Sequence, residues 1–395
     1  MKRVFITGMG VISAIGNTVT ENHSALQNGV CGISMPPHSS PDLSKVPLAE
    51  VALNNQLLRE RLQVFDPAVT RTTLLALHAF REAIQDAGLS GEEISSDRTA
   101  LIGGTTVGGM SQSDELFRDV SQRYSASPFL SSYDCSSVFM FLQEQYRMKG
   151  LIDTINTACS SAGNAIGFGM RLIRSGLAER ALVGGADSLS KFTISGFNAL
   201  HILSPEICRP FDRSRQGLNL GEGAAFLVLE GEDTIPPGKK IYAEVTGYYN
   251  ASDAFHPTSL SANGEGPYLA MQGALGTAGL KAGEIDFINA HGTATENNDE
   301  SESRAMIRVF GEPPPFASTK SNTGHTLGAA AAVEAVYSLL SLEHQEIYPG
   351  LHFSAVIPGT ELQPETIWRQ LPLRHIMSNS FGFGGNCVSL IFSKS

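Results

Sequence analysis

The stretch Ile155-Asn156-Thr157-Ala158-Cys159-Ser160-Ser161-Ala162-Gly163 constrains this chain more than any other. A β-branched run gives way to small residues, which reads as a strand delivering its end to the first turn of a helix. The cysteine falls at that turn. Free backbone N–H groups and the positive end of the helix dipole favour a thiolate there. A lone cysteine is more often a small buried residue, but two histidines sit in comparable places. His291 ends the apolar strand Phe287-Ile288-Asn289-Ala290 and opens a Gly-Thr loop. His325 ends the polar loop Ser318-Thr319-Lys320-Ser321-Asn322-Thr323-Gly324 ahead of an Ala-rich helix. Each lies at the C-terminal end of a predicted strand, where open α/β sheets gather their chemistry.

The remaining pattern alternates apolar strands with helical stretches in two α/β halves, 1–238 and 239–395. Lys2-Arg3-Val4-Phe5-Ile6-Thr7-Gly8 opens the first and Lys240-Ile241-Tyr242-Ala243-Glu244-Val245-Thr246-Gly247 the second, with the turn formers Pro236-Pro237-Gly238 between them. Continuous apolar runs such as Ala100-Leu101-Ile102 and Ala181-Leu182-Val183 suit strands buried on both faces. Helices rich in Gly and Ala after Cys159 and after His325 can pack closely, so a buried central helix layer is expected. Gly8-Met9-Gly10 resembles the opening of a dinucleotide fingerprint, but Gly16 arrives too late to complete it.

A formal charge of −11 argues against a nucleic-acid partner. Five cysteines without paired spacing argue against a disulfide framework or a zinc site and point to a reducing cytoplasm. The longest apolar stretch, Leu327 to Leu342, is broken by Glu334 and too short to span a membrane.

Thr157-Ala158-Cys159-Ser160-Ser161, Arg209-Pro210-Phe211-Asp212, His291-Gly292-Thr293-Ala294-Thr295, Lys320-Ser321-Asn322-Thr323-Gly324-His325 and Asn379-Ser380-Phe381-Gly382-Phe383-Gly384-Gly385 follow one another along nearly the whole chain. On these motifs the chain resembles the β-ketoacyl-ACP synthases of the KAS I/II type, condensing enzymes of the thiolase superfamily. The resemblance implies a duplicated thiolase-like αβαβα fold, five layers with two mixed sheets around a central helix layer. It also implies a decarboxylative Claisen condensation between an acyl group on Cys159 and malonyl-ACP, in fatty acid, polyketide or polyene synthesis.

In that scheme His291 and His325 stabilise the malonyl enolate, and the backbone N–H groups of Cys159 and Phe383 form an oxyanion hole. Lys320 and Glu334 pair to support His325, while Asp299 and Glu302 organise the His291 loop. Thr293, Thr295, His256 and Thr258 face the phosphopantetheine arm, and Phe383 gates the acyl pocket. No metal or resident cofactor is expected, since the phosphopantetheine arrives with the carrier protein. Arg71, Arg209, Arg213 and Arg215 are the candidate docking patch for an acidic acyl carrier protein. The partner subunit is either a second copy or a related chain-length factor.

Two features leave the specificity open. Val107 bounds the expected acyl pocket with modest bulk, whereas Phe139, Met140 and Phe141 could narrow it. Asn386-Cys387 stands where the family pattern continues with Thr-Asn, so the hydrogen bonds supporting the gate loop differ. Three rival readings remain: a subunit active only beside a chain-length factor, a non-catalytic partner, and a degradative thiolase using Cys387 as a second cysteine. The presence of Cys159, His291 and His325 weighs against a non-catalytic partner, and the paired histidine loops weigh against a thiolase.

Overall fold

The computed structural model describes residues 2–35, 46–122 and 127–395. Its strands are β1 (Val4–Ser13), β2 (Thr99–Gly104), β3 (Ile152–Ile155), β4 (Arg180–Asp187), β5 (Gly223–Gly231), β6 (Ala243–Ser252), β7 (Phe287–Asn289), β8 (Phe316–Ala317), β9 (Glu346–Ile347), β10 (Arg369–Gln370), β11 (His375–Phe381) and β12 (Asn386–Ser393). β9 and β10 form a small ribbon, and the other ten make one mixed sheet in the order β3-β2-β4-β5-β1-β6-β12-β11-β7-β8.

That order contains a duplication. β2 runs parallel to β3 and β4, and β4–β5 and β5–β1 are antiparallel. β7 likewise runs parallel to β8 and β11, and β11–β12 and β12–β6 are antiparallel. The two half-sheets are continuous through a short seam, Phe5 opposite Glu244 and Ile6 opposite Ala243.

The helices Ser161–Arg174 and Ala330–His344 pack against each other and against strands of both half-sheets, forming the central layer. Outside them, Arg71–Asp86 covers β1 and β5, and Glu265–Ala278 covers β6 and β12 with Glu296–Phe310 against it. The five layers follow from composition. β1, β2 and β5 are buried along their whole length and need a helix on each face. Ala330 to Leu342 is buried all round, as the unbroken apolar run requires. Close packing depends on missing side chains. A Cβ on Gly104 of β2 would come within 2.4 Å of the Ala162 backbone nitrogen, so the strand lies directly on the helix that follows Cys159.

Candidate active site

Cys159 follows β3 by four residues. Its helix begins at Ser161 with Ser160 as N-cap, so the cysteine lies just before the first helical turn rather than within it. The turn is held locally. The Thr157 N–H donates to Ser161 Oγ at 2.9 Å, and that hydroxyl donates to the Ala158 carbonyl at 2.6 Å. Ala158 adopts a left-handed φ of 54°, Ala294 beyond His291 one of 66°, and Leu327 beyond His325 one of 54°. Such backbone costs about 1–3 kcal/mol per residue and persists where the surrounding structure enforces it. Here it recurs beside all three candidate catalytic residues.

The ligand atoms of Cys159, His291 and His325 lie within 4.8 Å of one another, and all three residues are buried. The two imidazoles meet edge to face with centroids 5.4 Å apart. Burial pushes both well below the ordinary histidine range, and the Lys320 charge pushes the same way. Both rings are therefore neutral at physiological pH. Their tautomers follow from their neighbours. The Leu327 N–H donates to His325 Nδ1 at 3.2 Å, and Lys320 Nζ donates to His291 Nδ1 at 3.2 Å. Each ring then carries its proton on Nε2, and His325 Nε2 has no protein partner. His325 Nε2–H is thus left free in the site, while the His291 ring N–H also meets the Phe381 backbone carbonyl.

Lys320 pairs with Glu334 in a buried contact, but its ammonium reaches His291, not His325. That corrects the sequence reading. Lys320 begins a short buried helical turn, Lys320–Thr323, and from there its side chain meets both Glu334 and the His291 ring. His325 is instead fixed by its own backbone: its N–H donates to Asn219 O at 2.8 Å and its carbonyl accepts from Gly221 at 3.0 Å.

The carboxylates after His291 hold its loop. Glu302 accepts from the N–H groups of His291 and Gly292, each at 2.9 Å, and from Asn379. Asp299 accepts from the N–H groups of Phe211 and Ala294, which ties the Arg-Pro-Phe-Asp motif to the same loop. Burial pushes Glu302 up to about 7, with the two loop amides opposing it.

The Cys159 thiol is not a resting thiolate. Burial pushes it up to about 11, against the Lys320 charge and the backbone N–H groups of Phe383 and Cys159, which point at the sulfur. This corrects the expectation from the helix start: desolvation outweighs the local dipole. The same two N–H groups converge where an oxyanion on a Cys159 acyl group would form.

Two cavities meet at Cys159. One, of about 440 Å³, has a mixed polar and apolar lining that includes His291, His325, Thr293, Thr295 and Thr258. The other, of about 380 Å³, is apolar and lined by Val107, Thr106, Ala158, Phe192, Phe197 and Leu200. Phe383 borders both, its ring stacked on Phe197 at 5.9 Å. Thr293 and Thr295 hydroxyls lie 2.9 Å apart in the mixed cavity. His256 does not line it; its ring, exposed, accepts from the Thr258 N–H.

Phe139 lies in the core against Phe226, away from the apolar cavity, and Met140 is half exposed, so neither narrows it. Cys387 lies outside both cavities, fully buried among Ala251, Leu260, Ala270 and Phe381, and burial pushes its thiol far up.

The docking patch contracts. Arg71 is largely buried, paired with Glu222 at 2.5 Å and bonded to Val51 O, Leu53 O and Asn55. Arg215 is buried with its guanidinium on the carbonyls of Asp212, Thr295 and Glu296. Charge density along a sequence does not report which guanidinium is turned inward. Arg213 is exposed, and Arg209 is half exposed beside Glu206.

Sequence reasoning missed Asp187. Fully buried, it accepts from Thr105, Thr106, the Val107 N–H and the Gly328 N–H, joining the apolar cavity wall to the loop after His325. Its signal was present: one carboxylate closes the otherwise apolar strand Ala181 to Ala186.

Comparison with known proteins bears on this geometry. Residues 1–234 match the beta-ketoacyl synthase N-terminal domain and residues 242–354 the C-terminal domain. A 3-oxoacyl-[acyl-carrier-protein] synthase 2 of Staphylococcus aureus (strain COL) is 34% identical over 417 aligned positions, covering 100% of this chain and 98% of that protein. The solved ishigamide ketosynthase/chain length factor superposes with a TM-score of 0.91 at 32% identity, covering 100% and 99% of the two chains. A type II polyketide ketosynthase in the AntDE:AntF complex with its acyl-carrier protein gives 0.89 at 27% identity, covering 100% of each. With both domain models matched in order and a relative 34% identical over its whole length, the chain belongs to the β-ketoacyl synthase family.

Proposed function

We propose that this protein extends an acyl chain by decarboxylative condensation with malonyl-ACP. The observation that carries the reading is the buried thiol clustered with two buried neutral imidazoles where a mixed and an apolar cavity join. An acyl-ACP thioester enters through the mixed cavity. The Cys159 sulfur attacks its carbonyl, the oxyanion sits on the Cys159 and Phe383 N–H groups, and the carrier thiol leaves with the proton. Malonyl-ACP then binds with its thioester oxygen against His291 and His325. Loss of carbon dioxide leaves the electron pair as an enolate held by those donors. The enolate carbon attacks the acyl-Cys carbonyl, and the tetrahedral adduct expels the Cys159 thiolate to give β-ketoacyl-ACP. Each such donor contributes on the order of 3 kcal/mol to the barrier.

No step requires electron transfer or a Lewis acid beyond these groups, so the enzyme is proposed to act without a resident cofactor. The Thr293 and Thr295 hydroxyls suit the phosphopantetheine arm, and exposed Arg213 with Arg209 suits an acidic carrier protein. β3 ends the sheet with its outer edge unpaired among the described residues. Phe117, Val120, Leu130, Tyr133, Met140 and Leu151 stand exposed in the surrounding sequence. That edge is proposed to pair with a second copy or with a chain-length-factor subunit, a partner of the kind named in the ishigamide ketosynthase/chain length factor structure. Among the described residues no helix is long and apolar enough to cross a membrane. Five unpaired thiols suit a reducing cytoplasm, where we place the enzyme.

The test is intact mass after incubation with acyl-ACPs of several lengths, for wild type and Cys159→Ala. A mass gain equal to the acyl group, absent in the variant, supports the reading. No gain on any chain, with or without a partner subunit, overturns it. Release of carbon dioxide from malonyl-ACP by the same sample separates condensation from thiolytic cleavage.

A further inference from the structure

Asn386 replaces the residue type expected at the foot of the gate loop, and it is the hub of a polar network. Its side-chain oxygen receives Asn164 Nδ2 at 2.9 Å and Asn250 Nδ2 at 2.7 Å, and lies 2.7 Å from Ser160 Oγ. Its backbone carbonyl accepts from the Gly382 N–H at 2.8 Å, one residue before Phe383. The other ends of the network are equally defined. Asn164 Nδ2 donates to Thr157 Oγ1 at 2.8 Å, and Asn164 Oδ1 accepts from Tyr248 OH at 2.7 Å and Asn250 Nδ2 at 2.8 Å. One residue therefore joins the gate loop, the turn carrying Cys159, the central helix and β6.

The proton count makes the network divisible. One amide proton of Asn164 and one of Asn250 reach Asn386 Oδ1, and the others go to Thr157 Oγ1 and Asn164 Oδ1, so Ser160 is a third donor competing for an oxygen with two lone pairs. The Ser160 hydroxyl has one proton and two acceptors at 2.7 Å, Asn386 Oδ1 and the Thr157 carbonyl. When it donates to Thr157 the Cys159 turn closes on itself; when it displaces one of the amide donors from Asn386 the turn is tied directly to the foot of the gate loop, and Asn164, bonded to both Asn386 and Thr157, ties the two in either case. Phe383 lines the apolar cavity and is stacked on Phe197, so its position sets the room left for a chain there. A Cβ on Gly382 would lie 2.6 Å from Thr157 O, so the loop has little slack on that side.

We propose that Asn386 is a positioning residue that latches the gate loop to the nucleophile turn and so controls access of long chains to the apolar cavity. The latch takes the acyl-binding reading of that cavity as its starting point. It acts on Phe383 through Gly382 and on Cys159 through Ser160, and touches neither substrate.

The test compares alkylation of Cys159 by iodoacetamide and by its N-octyl derivative, read by peptide mass, in wild type, Asn386→Ala, Asn386→Thr and Asn250→Ala. The octyl-to-small rate ratio is read at the Cys159 peptide on variants whose thermal unfolding matches wild type, because an unfolded chain exposes the thiol to both reagents alike. We expect it to rise at least five-fold in Asn386→Ala and Asn250→Ala, with Asn386→Thr between these and wild type. An unchanged ratio in the folded variants, or rates that fall together for both reagents, overturns the latch. Asn250→Ala keeps the test available if Asn386→Ala does not fold, because it cuts the hub from β6. The readout needs no turnover, so failure of the latch is distinct from failure of the ketosynthase reading, which wild-type acylation by acyl-ACP decides.

Discussion

The Cys159 thiol has an apolar wall on one side and, on the other, two backbone N–H groups and the Lys320 ammonium. With its ionisation pushed up to about 11, the thiolate fraction grows tenfold per pH unit across the accessible range. Iodoacetamide labelling of Cys159 should keep rising through pH 10, whereas an ordinary thiol near 8.5 flattens above about pH 9. A plateau below pH 9 would show that the amides and Lys320 outweigh burial. The histidines shift the opposite way. A base whose folded value is depressed stays neutral to lower pH, so malonyl decarboxylation should hold its rate as pH falls through 6.5. An acid limb centred at the ordinary histidine value would contradict this. Lys320 carries a third expectation. Burial already pushes Glu334 up to about 7 against the Lys320 charge, so Lys320→Met leaves a buried carboxyl that must take up a proton and loses its partner; this costs about 3–5 kcal/mol in urea unfolding at neutral pH, and Glu334→Leu in the same chain recovers most of it. Equal stability of the single and double variants would mean that the pair is solvated.

Elements meet at this site without slack. β2 touches the helix after Cys159 at Gly104, where an added Cβ meets backbone rather than a movable side chain. Gly104→Ala should therefore cost about 1–3 kcal/mol by overpacking and slow Cys159 acylation by displacing the helix start. Differential scanning fluorimetry with the acyl-ACP mass assay checks both, and a neutral result would mean that strand and helix part freely. The motifs made most of these elements legible. A β-branched run before Cys159, an apolar strand before His291 and an Ala-rich helix after His325 are local patterns, set by residues within a few positions of one another. Longer connections were not legible. Asp187 reaches Gly328 across 141 positions, and Asn386 reaches Ser160 across 226. No periodicity records such a bond.

At the scale of the whole molecule, the repeated strand order means that each half supplies one part of the chemistry, the thiol from the first and the two histidines from the second. Neither half can act alone. The unpaired β3 edge extends that dependence outward, and light scattering should give twice the 42.1 kDa chain mass, with Leu151→Arg shifting it to monomer. A monomeric wild type would remove the edge from the proposal. What the sequence determined by itself was the order of elements and which three residues, Cys159, His291 and His325, the fold brings together, because both are written in short contiguous motifs. What only the tertiary structure decided was environment: that Lys320 serves His291, that Arg71 and Arg215 turn inward, and that the thiol rests protonated. Each of these depends on desolvation and on partners distant in the chain, and neither is a property of any segment taken alone.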